Sequence, residues 1–164
     1  MDVFRLSLVA GWADMDSNAH MRNTAYLDKS VDVRLLYFTS HGFSASEFRR
    51  LGIGPVVVHD EIEYFREFHL LDTVECTLCL AGLSSDGSRM RLRNEFFRHR
   101  KLAVRVTSTG GWLDLKQRKM VVPPLTLLTA LQTLAHSEDY EELSGGSNPF
   151  RSRRHDASES GSDR

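Results

Sequence analysis

The sequence predicts an α+β domain in which a curved antiparallel sheet of about five strands wraps around one long central helix. Two observations carry this. A broad apolar arc runs through residues 25–42 (Tyr26, Leu27, Val31, Val33, Tyr37 and Phe38), too wide for a helix lying on a surface. Four long strand-like stretches then follow between Val56 and Leu115, separated by polar turns, with no repeat among them. Sheet and helix therefore form two layers over one core. A leucine-striped segment after Pro123-Pro124 adds a C-terminal helix.

In chain order, Val3–Trp12 reads as a strand rich in Val, Leu and Phe. Asp14–Asn23 is a polar turn, and Asn23 or Thr24 is suited to cap the helix that follows. Arg34 falls inside the apolar arc and so calls for a buried acceptor. Gly42 stops the helix, and Ser44 caps a short second one, Ala45–Leu51. Val56–Phe68 alternates, with Tyr64 on one face and His59, Glu61 and Glu63 on the other; the two glutamates read as solvent-facing. Leu71–Leu83, Ser88–Arg98 and Leu102–Leu115 complete a meander, with Ser84-Ser85-Asp86-Gly87 and His99-Arg100-Lys101 as its turns. The last helix spans Leu125–His136. Residues 1–143 make one domain, and 144–164, dominated by Gly, Ser, Asn, Asp and Arg, read as a disordered tail. Apolar residues on both faces of several strands suggest that a second subunit covers an edge or a face.

Composition narrows the function. With 164 residues, 41% hydrophobic and 26% charged, the chain builds one ordinary globular core. A net charge of -1 argues against a nucleic-acid partner, which would need a basic surface. No apolar run reaches the ~20 residues that span a bilayer, and the start lacks a secretory pattern. A soluble cytoplasmic protein with no membrane partner is expected. Cys76 and Cys79 are three apart in a strand, so their side chains diverge; with no second Cys/His pair at zinc spacing, they read as buried structural thiols and no metal is expected.

The chemistry-bearing stretch is Asp14–Tyr26. Asp16, just before a helix, meets the positive helix end and several unpaired N–H groups. A carboxylate there either caps the turn or acts as base or nucleophile, with N–H groups near His20, Met21 and Arg22 holding an oxyanion. His20 could orient a water, hold a carbonyl or simply pack, and Asn18 and Asn23 serve a ligand or the turn itself. His59 and Tyr64 would face one cleft only if a bulge lay between them.

The run Asp-x-Asp-x-x-x-His-Met-x-Asn-x-x-Tyr-Leu from Asp14 to Leu27, followed by Arg34, resembles the opening of the 4-hydroxybenzoyl-CoA thioesterase-like branch of the hotdog-fold acyl-CoA thioesterases. Val57-Val58, Ile62, Tyr64 and Asp72 extend the resemblance along the chain. It implies a hotdog fold, a homodimer or homotetramer, an acyl-CoA substrate in a cleft between subunits, and no cofactor. It places Asp16 at the catalytic aspartate, with Asn18, His20, Met21, Arg22, Asn23, Tyr26, His59 and Tyr64 around the substrate. Arg89, Arg91 and Arg93 alternate along one strand, with Arg98, Arg100 and Lys101 beyond; arginine forks suit the phosphates of CoA, although a solvated strand face explains them equally. The chain departs from the family in Ala19, where many relatives have Gly, and in Arg22, where Asn is commonest. Two further readings stay open: a hotdog enoyl-CoA hydratase, whose Asp-x-Asn-Pro-x-His loop is one residue longer and carries a proline absent here, and a non-catalytic acyl-binding dimer.

Overall fold

The structure, a computed structural model, describes residues 3–145. The predicted tail therefore lies, from residue 146 on, outside the described residues. The elements are β1 (Phe4–Val9), α1 (Asn23–Ser40), α2 (Ala45–Leu51), β2 (Ile53–Tyr64), β3 (Thr73–Ser84), β4 (Arg89–Arg98), β5 (Lys101–Asp114), β6 (Met120–Val121), α3 (Leu125–Gln132) and β7 (His136–Leu143). One sheet runs in the order β1-β3-β4-β5-β2, with β6 paired to β5 and β7 to β3.

Local chemistry explains most boundaries. α1 is preceded by Arg22, whose side chain makes no cap, and Asn23 Oδ1 instead accepts the Thr24 N–H at 2.9 Å. Ser44 caps α2 by accepting the Glu47 N–H, and Gly52 ends it at φ 67°, a conformation that favours glycine. Asp86 holds the β3–β4 turn by accepting from the hydroxyls of Ser84 and Ser88 and the Ser88 N–H.

The meander needs one correction. β2 does not pair with its successor β3 but crosses to the far edge of β5, with a bulge between Val57 and His59. Gly110 permits this seat, since a Cβ there would lie 2.0 Å from the Val56 carbonyl oxygen. Three elements were not expected: a 3₁₀ turn at Trp12, the two-residue β6, and β7. α3 stops at Gln132, and the acidic run after it forms β7, parallel to the far half of β3 beyond β1. Trp12 lies past β1 in a short 3₁₀ turn and is 82% exposed.

α1 lies against one face of the sheet. Tyr26, Val33, Tyr37 and Phe38 meet Leu78, Leu80, Phe96, Val106 and Trp112 in the core, closed at the end by Leu127, Leu131 and Leu134. Burial of each large aliphatic or phenyl side chain contributes on the order of 1.5–3 kcal/mol. Arg34 is buried within this core; its Nε donates to Asn94 Oδ1 (2.8 Å) and its NH2 to Ser108 Oγ (2.7 Å), while Ser108 donates to Asp60. Burial pulls its guanidinium down to about 10. Cys76 and Cys79 are free thiols, pushed up by burial to about 12 and about 11. One long helix held in a curled antiparallel sheet is the hotdog arrangement.

The helix is not wrapped on every side. Val31, Leu35 and Leu36 remain exposed on α1, as do Val57 and Tyr64 on β2, the open edge of the sheet. The opposite face of the sheet is charged, with Arg93 on Asp139 and Arg105 on Glu95.

Candidate active-site cleft

A cleft of about 530 Å³ opens at the N-terminal end of α1, lined by Asp16, His20, Met21, Asn23, Tyr26, Tyr64, Phe65, Arg66 and Glu67. Its floor is aromatic: the Tyr26 ring meets Tyr64 and Phe96 edge-on at 5.8 and 5.5 Å. Tyr26 is 2% exposed, and burial, with Tyr64 beside it, pushes its phenol up to about 12. It stays protonated through the physiological range.

The loop ahead of α1 folds back on itself. The Asp16 N–H donates to the His20 carbonyl (3.0 Å) and the Ala19 N–H returns to the Asp16 carbonyl (3.2 Å). Closing this loop forces Ala19 to φ 63°, where glycine is the easier residue. The result sets His20 Nδ1 3.3 Å from Asp16 Oδ2, while Oδ1 accepts the Asn18 N–H at 2.8 Å. Asp14 instead pins the turn to α1, its Oδ2 taking the Gly11 N–H (2.7 Å) and Lys29 Nζ (2.9 Å). Of the two acids, Asp16 alone lines the cleft.

The backbone donors differ from those expected. The Met21 N–H is taken by the Phe68 carbonyl and the Arg22 N–H by the Asp14 carbonyl, both at 2.8 Å. Among the described residues, the N–H groups of His20 and Asn23 find no acceptor. Asn23 opens α1, and His20 lies in the loop just before it.

Of the predicted residues, Asp16, His20, Met21, Asn23, Tyr26 and Tyr64 come together. Three do not line the cleft. Asn18 contributes its N–H to the turn; Arg22 spans the outside of the loop to the Ala13 carbonyl and Thr24 Oγ1. His59 stays on the opposite face from Tyr64, because the bulge precedes both residues and their register is regular from His59 on; it pairs with Thr109, whose hydroxyl takes Arg91 Nε. Phe65, Arg66 and Glu67 were missed as cleft residues because they read as the end of a strand. The adjacent aromatics Tyr64-Phe65, which break the alternation, were the available signal.

The arginine row is accounted for elsewhere. Arg91 pairs with Glu141, and Arg93 grips both oxygens of Asp139 at 2.6 and 2.8 Å, so these β4 residues hold β7 in place beside β3. Among the described residues no His, Cys, Asp and Glu cluster is arranged to hold a metal, and no helix is long and apolar enough to cross a membrane.

A family model described as the thioesterase-like superfamily matches residues 10–131. No curated protein matches the chain. Among solved structures, a protein of Staphylococcus aureus in complex with CoA superposes with a TM-score of 0.73 at 20% identity, covering 91% of this chain and 90% of that one. The 1,4-dihydroxy-2-naphthoyl-CoA thioesterase of Synechocystis gives 0.72 at 19% identity, over 81% and 98%. A protein of Aquifex aeolicus gives 0.72 at 20%, over 78% and 98%. At such identities the likeness is one of fold.

Proposed function

The chain belongs to the thioesterase-like superfamily, and from that premise we propose that it is a thioester hydrolase that cleaves acyl-CoA with Asp16 as general base. One observation supports the reading: Asp16, His20 and Asn23 line one end of an aromatic cleft, and among the described residues the N–H groups of His20 and Asn23 have no acceptor. The likeness to a CoA-bound protein and to a naphthoyl-CoA thioesterase supports CoA as the carrier.

In this arrangement Asp16 takes a proton from water as the water oxygen attacks the thioester carbonyl carbon. The developing oxyanion accepts hydrogen bonds from the His20 and Asn23 N–H groups, at the positive end of α1. Collapse breaks the carbon–sulfur bond, and the proton held by Asp16 passes to the departing thiolate, giving free acid and CoA thiol. His20 is placed to hold Asp16, and Tyr26 and Tyr64 offer an apolar wall for the acyl group. Asn18, Arg22 and His59 have no part in this chemistry within one chain.

The exposed apolar residues of α1 and β2 along the open sheet edge support a homodimer across that edge, which sedimentation would measure. The mechanism is tested by following thiol release from a panel of short, long and aromatic acyl-CoAs. Asp16→Asn and Asp16→Ala should each lose about 10²-fold or more in kcat, the scale of a general base. Retention of activity in both would refute the assignment. Incorporation of solvent oxygen into the product but not into Asp16 in a single turnover separates base from nucleophile.

A further inference from the structure

We infer that the tip of the β4–β5 hairpin, His99–Lys101, is an anion-binding site that takes the phosphates of CoA. The inference rests on acyl-CoA being the substrate.

Ion pairing and position together point there: Arg89, Lys116, Arg118 and Lys119 also lack a carboxylate among the described residues, but the last three follow the far end of β5, whereas the hairpin tip adjoins the cleft wall. On the sheet, Arg5, Arg91, Arg93, Arg98 and Arg105 each sit on a carboxylate. At the tip, His99, Arg100 and Lys101 have no acidic partner among the described residues, and all are at the surface. The tip is continuous with the wall of the cleft. The N–H groups of Phe65 and Arg66 both donate to the Ala103 carbonyl, at 2.8 and 3.0 Å. The Arg66 side chain, which lines the same cleft as Asp16, rests on the Leu102 carbonyl at 2.7 Å, a neutral acceptor that leaves its charge uncompensated. Glu67, the acid at this rim, is turned toward His69 Nε2 at 3.2 Å. A run of basic side chains, Arg66 and then Arg100 and Lys101, thus leads from the cleft wall to the hairpin.

The backbone adds a second observation. His99 and Arg100 occupy the two centre positions of a two-residue turn at φ 49° and 63°. A turn of this hand favours Asn-Gly. Two large basic side chains held where smaller residues are easier indicate a role for the side chains themselves. The phosphates of CoA lie at the far end of the molecule from its thioester, so with the carbonyl at Asp16 they belong outside the cleft. Polyvalent phosphate esters are the ligands that guanidinium and ammonium groups together recognise.

The experiment compares one acyl group on two carriers: CoA, and N-acetylcysteamine, which lacks phosphate. Reversing the tip with Arg100→Glu and Lys101→Glu should raise KM for the CoA ester by about tenfold or more, the scale of losing charge-assisted contacts. Turnover of the N-acetylcysteamine ester should be unchanged. A second variant, His99→Asn with Arg100→Gly, relieves the positive φ values, keeps the melting temperature at or above wild type, and should still raise KM for the CoA ester. Equal effects on both esters, or on neither, overturn the site. So does an effect confined to an ester of acyl-carrier protein, which would make the tip a protein-docking surface. Asp16→Asn, run alongside, separates the two ideas: its full activity refutes the mechanism while the KM shift stands. If the wild type cleaves no thioester, calorimetric titration with CoA alone decides. Binding weakened by the charge reversal upholds the site, and binding that is absent or unaffected overturns it.

Discussion

Replacing Arg34 with Met tests how the core tolerates a buried cation. Arg34 is 7% exposed, and its guanidinium donates to Asn94 Oδ1 and Ser108 Oγ. Methionine fills much of the same volume, so cavity formation is small. Asn94, fully buried, keeps its Nδ2 bond to the Thr77 carbonyl at 3.1 Å but leaves Oδ1 without a donor. Such an orphan costs about 1–3 kcal/mol. Ser108 loses one accepted bond yet still donates to Asp60, so its share is the smaller. The net loss expected is about 2 kcal/mol, offset slightly by removal of the buried charge. For a domain of this size that lowers Tm by roughly 4–8 °C. Arg34→Ala adds a cavity and should lose about 2 kcal/mol more. Urea and thermal unfolding by circular dichroism, at matched protein concentration because association raises apparent stability, measure both. Adding Asn94→Leu to Arg34→Met removes the orphaned acceptor and should recover much of the loss. If Arg34→Met equals wild type, or if the double variant is no better than the single, the reasoning from unpaired acceptors fails.

Two further predictions follow from backbone and charge. Ala19→Gly relieves the φ of 63° in the Asp16–His20 loop and should stabilise the protein by about 0.5–1 kcal/mol, the balance of left-handed strain against glycine's extra freedom when unfolded; an unchanged or lowered Tm would refute it. The Arg93 fork, aided by Ser137, holds the Asp139 carboxyl well below its usual range. A depressed carboxyl adds stability in full above its unfolded pKa of about 3.9 and loses it as pH falls below that value toward the folded one. Protection factors of the β7 amides, with the pH dependence of intrinsic exchange divided out, should therefore fall below about pH 4, and Asp139→Asn should show the lowered protection already at neutral pH.

Several functional parts were legible because they are local. The apolar arc of residues 25–42 declares a buried helix, and Ser44 with Gly52 brackets α2, since caps and periodicity act within a few residues. The polar turn before α1 marked Asp16, and the structure sets it in the cleft with His20, Asn23 and Tyr26 because all four lie within one loop and the helix turn it enters. Wherever partners are distant in sequence, tertiary structure decided. Residues 136–143 carry no apolar alternation; they become a strand because β3 offers an open edge and arginines some 46–50 positions away neutralise their acids. That same pairing removes Arg91 and Arg93 from any role at the cleft. Tyr64 lines the cleft and His59 does not, because the bulge in β2 lies before both, where Gly110 of β5 allows two backbones to approach. Periodicity fixes which face a residue takes relative to its neighbours in the chain. The partner strand, the register and the neutralising charge come from contacts between segments far apart in sequence, which local pattern does not encode.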